Sequence, residues 1–151
     1  LFSDLTKYFN YDPLMKWIFV VLNSDNMISI FMNTILIFGS CFALLSVIFG
    51  AFGAHLLKKL LPESALHSFE VGVRYMMYHG LALLLVAVLP IEDKRWVSIL
   101  FIVGTLLFSL SIFFLSLQSV LKLNLKWLGP VTPIGGLFLV FGWIALLIQF
   151  L

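Results

Sequence analysis

Four apolar runs of membrane-spanning length set the terms on which this chain folds: Ile28–Ala54, about Val71–Leu89, Trp96–Leu121 and about Val131–Leu151. A helix rises about 1.5 Å per residue, so roughly 20 residues cross a hydrocarbon core of about 30 Å. The links between the runs, His55–Glu70, Pro90–Arg95 and Lys122–Pro130, are short and hold most of the charges. Links of that length make successive helices antiparallel. Only 11% of the residues are charged and 62% are hydrophobic. A soluble domain carries about 25% charged residues, and this chain in water would expose large apolar patches. The expected fold is all-α: a polytopic integral membrane protein, an up-down bundle of four transmembrane helices in one domain, residues 27–151. Its first partner is the lipid bilayer.

Residues 1–26 stand apart. Their apolar run, Trp17–Leu22 with its flanks, is too short to span and lacks a clear small-residue cleavage site. An N-terminal extension lying as a short interfacial helix, with Trp17 at headgroup depth, is the expectation. Met27 stands just before the first span, where the core protein is expected to start. The net charge of +2 is spread over scattered Lys and Arg, which excludes a nucleic-acid partner. The one cysteine, Cys41, excludes an internal disulfide and reads as a small buried hydrophobe. Leaving the extension aside, Lys58, Lys59, Lys122 and Lys126 place loops one and three in the cytoplasm and the termini outside.

Helices in lipid associate by close packing and interhelical hydrogen bonds, since lipid tails are as apolar as leucine. Span one offers a ridge of small residues: Gly39, Ala43, Ser46, Gly50 and Ala54, with Gly53 beside it. Span three offers Ser98, Ile102, Thr105, Ser109, Ile112, Ser116 and Ser119. Span four offers Gly135, Leu139, Gly142, Leu146 and Gln149, with Gly136 adjacent. Alternating steps of three and four hold each set on one helix face, the pattern of a packing seam. The stretch "GAFGAHLLKKL" at the end of span one is expected to be a place where another backbone comes close; the alternative is a site where glycine admits a ligand.

Charged and polar groups near the spans are few, so each matters. Span two opens with "HSFEVGVRYMMYHG", which puts His67, Glu70, Arg74 and Tyr78 on one helical face. Glu70 and Arg74 have the spacing and order of an ion pair, and Tyr75 and His79 are likewise one turn apart. Pro62, followed by Glu63 and Ser64, marks a helix start, and 62–70 reads as a short amphipathic surface helix. The polar cluster His55, Glu70, Arg74, Tyr75, Tyr78 and His79 admits three readings. It is structural, with Glu70 and Arg74 neutralising each other and His79 and the tyrosines bonded to serines of span three. It is a proton or small-solute path with His79 or His55 titrating. Or it is a catalytic or metal site using His55, His67, His79 and Glu70. The third matches no motif: there is no HExxH, no Ser–His–Asp set, no phosphate-binding glycine loop and no redox signature. No cofactor, no metal and no enzymatic activity are expected.

Three motifs, "GAFGAH", "VRYMMYHGLALLL" and "GPVTPIGGLFLVFGWIAL", occur in that order and resemble the YgdD-like family. These are small four-span membrane proteins of bacteria, with distant animal relatives, grouped as a domain of unknown function. The resemblance covers about residues 28–151. It rests on Gly50, Ala51, Gly53, Ala54, His55, Arg74, Tyr75, Tyr78, His79, Gly129, Pro130, Pro133, Gly135, Gly136, Gly142 and Trp143. It implies a four-helix integral membrane protein and no established activity. Pro133 suits the first turn of span four. Topology gathers His55, Glu70, Arg74 and the 129–136 loop at one end of the bundle, where His55 is expected to bond to Glu70 or to a freed carbonyl. The function expected is that of a non-enzymatic accessory or structural subunit of a bacterial inner membrane, packing with other membrane proteins or with itself. The alternative is a small oligomeric transporter or channel.

Overall fold

The computed structural model describes residues 13–151, with side chains from Met27 onward. Among the described residues five α-helices follow one another: α1 (Pro13–His55), α2 (Glu63–Val88), α3 (Lys94–Thr105), α4 (Ser111–Leu121) and α5 (Val131–Ile148). A wide π-type turn, Leu106–Leu110, joins α3 to α4 without a break, so the two form one span. Among the described residues four helical stretches are long and apolar enough to cross a membrane: Met27–Lys59, Glu63–Val88, Lys94–Leu121 and Lys126–Ile148. The fold is thus all-helical with four spans, as the apolar runs require. The chain divides into two compact units, the first ending at Thr34 and the second covering Ile35–Leu151. Within the first, Thr34 donates to the carbonyl of Ile30 one turn back. The expected interfacial segment, residues 1–26, lies outside the residues whose side chains are described.

Span two begins earlier than its apolar run. No proline interrupts Glu63–Val88, so the expected surface helix 62–70 is simply the first turns of α2. Pro62 sets the start in an extended conformation, and the first helical bond runs from Leu66 N–H to Pro62 O. At the other membrane side Lys94 Nζ donates to Ala87 O at 2.8 Å and occupies a carbonyl at the end of α2. The cation also meets the negative end of that helix dipole. Asp93 caps α3 by accepting from Arg95 N–H at 2.9 Å. Lys122 ends α4 in the left-handed conformation at φ 54°, with Leu123 N–H reaching back to Gln118 O.

In the second unit the helices touch through glycines. A Cβ on Gly80 of α2 would lie 3.0 Å from both Ala43 N and Gly39 O of α1, so the two backbones meet there. Further along the same pair, Ser46 Oγ donates to Val73 O at 3.2 Å. Phe49, Phe69 and Phe113 stack edge-on and tilted, with centroids 4.8–6.4 Å apart, and bind α1, α2 and α4 together. Helix α5 lies along α3: Leu139 seats against Gly104, and Gly142 against Phe101. Gly135 faces the backbone of Phe108 and Leu107 inside the π-type turn. The faces turned away carry exposed Leu, Ile, Val and Phe, the surface lipid wets.

Candidate functional site

The residues of the expected packing ridges differ in burial. Gly39, Ser46, Gly53, Gly135, Leu139, Gly142 and Leu146 are buried. Ala43 and Gly50 are half-buried, and Ala54 is exposed. In span three Ser98, Thr105, Ser109, Ile112 and Ser116 are buried, while Ser119 is exposed. Cys41, expected inside, is exposed on α1. The ridge from Gly39 to Gly50 faces α2, and Cys41 lies on the other side of that helix.

The polar cluster divides by depth. His79 is 4% exposed. Its Nδ1 lies 2.8 Å from Tyr75 O, and Trp143 Nε1–H reaches its Nε2 at 3.2 Å. Indole N–H only donates, so Nε2 accepts and the ring proton sits on Nδ1, given to the Tyr75 carbonyl. Both ring nitrogens are thereby engaged. Phe101, Trp143 and Tyr75 surround the imidazole with centroids 5.3, 6.0 and 5.9 Å away. Tyr75 in turn packs on Phe108 at 4.6 Å. One aromatic plug thus joins α2, α3, the π-type turn and α5 at His79.

The serines of span three, expected as partners of His79, do not bond to it; Ser109 and Ser111 bond elsewhere, and the buried Ser98 and Ser116 have no partner. Ser109 Oγ donates to Gly72 O at 2.9 Å, next to the Val73 carbonyl that Ser46 takes. Two successive carbonyls of α2 are therefore held, one from each side. Ser111 Oγ donates to Phe108 O at 3.0 Å and meets Thr132 Oγ1 at 2.8 Å, which ties α5 to the wide turn. Sequence spacing missed the glycines Gly72, Gly80 and Gly104. The first two are separated by two helical turns, which was the available signal.

The remaining cluster members do not converge. Glu70, Arg74, His67 and His55 are all exposed. Glu70 and Arg74 line a shallow recess beside Gly50 and Gly53, but no hydrogen bond or ion pair joins them among the described residues. Glu70 also borders a wider recess with Lys58, Glu63 and His67. His55 sits beside Val47, Ile48, Ala51 and Phe52 of its own helix, on the side away from α2, and bonds to neither Glu70 nor a loop carbonyl. All four side chains are exposed on the outside of their helices, where nothing compels them to pair. Tyr78 is exposed, its ring 6.2 Å from that of Tyr75 between centroids. Among the described residues no three His, Cys, Asp or Glu side chains come close enough to hold one metal ion.

Comparison with known proteins adds a family. Residues 49–136 match the family described as Protein of unknown function (DUF423). The UPF0382 membrane protein of Staphylococcus haemolyticus is 36% identical over 121 residues, 78% of this chain and 95% of that protein. UPF0382 membrane protein YwdK of Bacillus subtilis is 36% identical over 122 residues, with the same shares covered. A UPF0382 membrane protein of Schizosaccharomyces pombe is 40% identical over 107 residues, 70% of this chain and 91% of that protein. No solved structure matches the chain.

Proposed function

Since this chain belongs to the DUF423 family, whose curated relatives are UPF0382 membrane proteins, we propose that it works by packing rather than by chemistry. In this reading it is a non-enzymatic accessory or structural subunit that associates with other membrane proteins or with copies of itself. The resemblance of its three motifs to the YgdD-like proteins belongs to the same proposal. So does a place in the cell membrane with loops one and three on the cytoplasmic side. Lys58, Lys59, Lys122 and Lys126 at that end support it, against a balanced Glu92, Asp93, Lys94 and Arg95 at the other.

One observation carries the reading: His79, the titratable group buried at mid-bundle, spends both nitrogens on Tyr75 and Trp143. A proton carrier needs a ring nitrogen free to face a water path. Around His79 the core is filled by Phe101, Met76, Leu83 and Val97, none more than 1% exposed. His79, Ser46, Ser109 and Ser111 in the bundle interior thus serve as fasteners between helices. The test is extraction of the full chain in mild detergent, followed by native mass spectrometry of the intact species. A fixed-ratio complex with another membrane protein, or a defined homo-oligomer, is the expected result. A monomer at every concentration, with pH-dependent solute flux in vesicles that His79→Leu abolishes, would overturn it.

A further inference from the structure

At the loop end of the bundle the first turns of α2 and α5 border a common recess of about 370 Å³. Its polar wall is Ser64, Ser68, Ser116, Gln118 and Thr132, and its apolar wall includes Ile112 and Leu115. Ser64 belongs to the first turn of α2 and Thr132 to the first turn of α5. Both helices open behind a proline, Pro62 and Pro130, and neither start has a side-chain cap. The first helical bonds run from Leu66 N–H to Pro62 O and from Ile134 N–H to Pro130 O. The N–H groups before them, at Glu63, Ser64 and Ala65 and at Val131 and Thr132, have no partner within their helices. Each helix start also carries the positive end of a dipole.

A second observation is independent of the helix ends. Ser116 is 5% exposed and its Oγ has no hydrogen-bond partner, yet it lines this recess. A buried hydroxyl without a partner costs free energy, and it is satisfied when an acceptor enters. Neighbouring hydroxyls are already committed: Ser68 donates to Ser64 O at 3.0 Å, and Thr132 meets Ser111 at 2.8 Å. No carboxylate lines the recess; Glu63 and Glu70 border the separate one that also contains Lys58 and His67. Lys58, Lys59, Lys122 and Lys126 stand in the turns that lead into or out of the same helices.

We propose that this recess binds a phosphate group, taken from a phospholipid headgroup or from free phosphate. Phosphate oxygens are strong acceptors, and two uncapped helix starts with flanking lysines supply the donors and positive potential they need. The apolar wall at Ile112 and Leu115 suits the glycerol and upper chain of a lipid.

The full chain is purified in a maltoside detergent, which carries no phosphate. Phosphatidic acid, phosphatidylcholine or inorganic phosphate is then added and followed by native mass spectrometry and thermal midpoint. Two variants accompany it. Ser64→Asp brings a carboxylate to the first turn of α2, where the dipole favours it but phosphate is repelled. Ser116→Val removes the orphan hydroxyl. One phosphatidic acid retained per chain, bound on the order of tenfold more weakly by both variants, is the expected result and identifies a headgroup. A midpoint raised by millimolar inorganic phosphate alone, and lost in both variants, identifies the free ion. Lipid retention unchanged in both variants, no response to any probe, or wild-type binding by Ser116→Val overturns the proposal. If Ser64→Asp fails to fold, Ser116→Val decides alone.

Discussion

Gly135 and Gly136 are neighbours in one helix, yet their replacement by alanine should have opposite results. A Cβ on Gly135 would sit 2.8 Å from Phe108 Cα and 2.9 Å from Leu107 C, both backbone atoms in the π-type turn, and closer still to Phe108 N. A Cβ on Gly136 would meet only the ring of Phe108, at 3.7 Å, an ordinary contact. Relieving the first clash requires α5 to withdraw from span three by roughly half an ångström, which loosens Leu139 on Gly104 as well. Overpacking of this kind costs about 1–3 kcal/mol, and unyielding backbone puts it at the upper end. Both variants gain the same helix propensity, at most about 1 kcal/mol, so it cancels in the comparison. Gly135→Ala should therefore be about 2–3 kcal/mol less stable than Gly136→Ala. The assay is equilibrium unfolding in mixed micelles of mild detergent and dodecyl sulfate, read by tryptophan fluorescence. Equal midpoints for the two variants would refute the docking of α5 on the wide turn.

The bond between Trp143 and His79 predicts a positive coupling energy of about 0.6 kcal/mol, up to about 1.7, in a double-mutant cycle of Trp143→Phe and His79→Leu; additivity would deny the bond. His55→Ala and Glu70→Gln should each leave the unfolding midpoint within about 0.5 kcal/mol, since both side chains are exposed and unpaired among the described residues. A larger loss in either would restore the ion-pair or cross-loop reading. Lys122→Gly should raise stability by about 1 kcal/mol, because Lys122 holds φ 54° at the end of α4, a conformation that strains a residue with a Cβ; a lowered midpoint would mean its charge matters more than its backbone.

What could be read from sequence followed the strength of the physical constraint. Length and hydropathy place four helices because a bilayer permits few other solutions. Steps of three and four identify the inner face of span four, where Gly135, Leu139, Gly142 and Leu146 are all buried. The wide turn at Leu106–Leu110 had no marker: no glycine or proline lies inside it. It exists alongside tertiary partners, Gly135 at its backbone and Thr132 at Ser111, which lie a whole span away in sequence. The expectation of one polar cluster failed because helical spacing says which residues share a face but not how deep each lies. His79 is held by two bonds; His55, three residues before the lysine pair that ends span one, is exposed and held by none.

The same depth argument separates the three buried hydroxyls without partners, Ser98, Thr105 and Ser116. Ser98 and Thr105 are 1% and 0% exposed, lie two turns apart on α3, and line no recess described above. A serine or threonine there can rotate to share the carbonyl one turn back, so its orphan state is cheaply mended within its own helix. Ser116 has that option too, but the residue also lines a recess beside two helix starts and a second set of polar side chains. Burial alone therefore does not mark a binding site in this bundle. An orphaned hydroxyl points to one where other polar side chains share the same space, and of these three residues Ser116 lines the recess with Ser64, Ser68, Gln118 and Thr132.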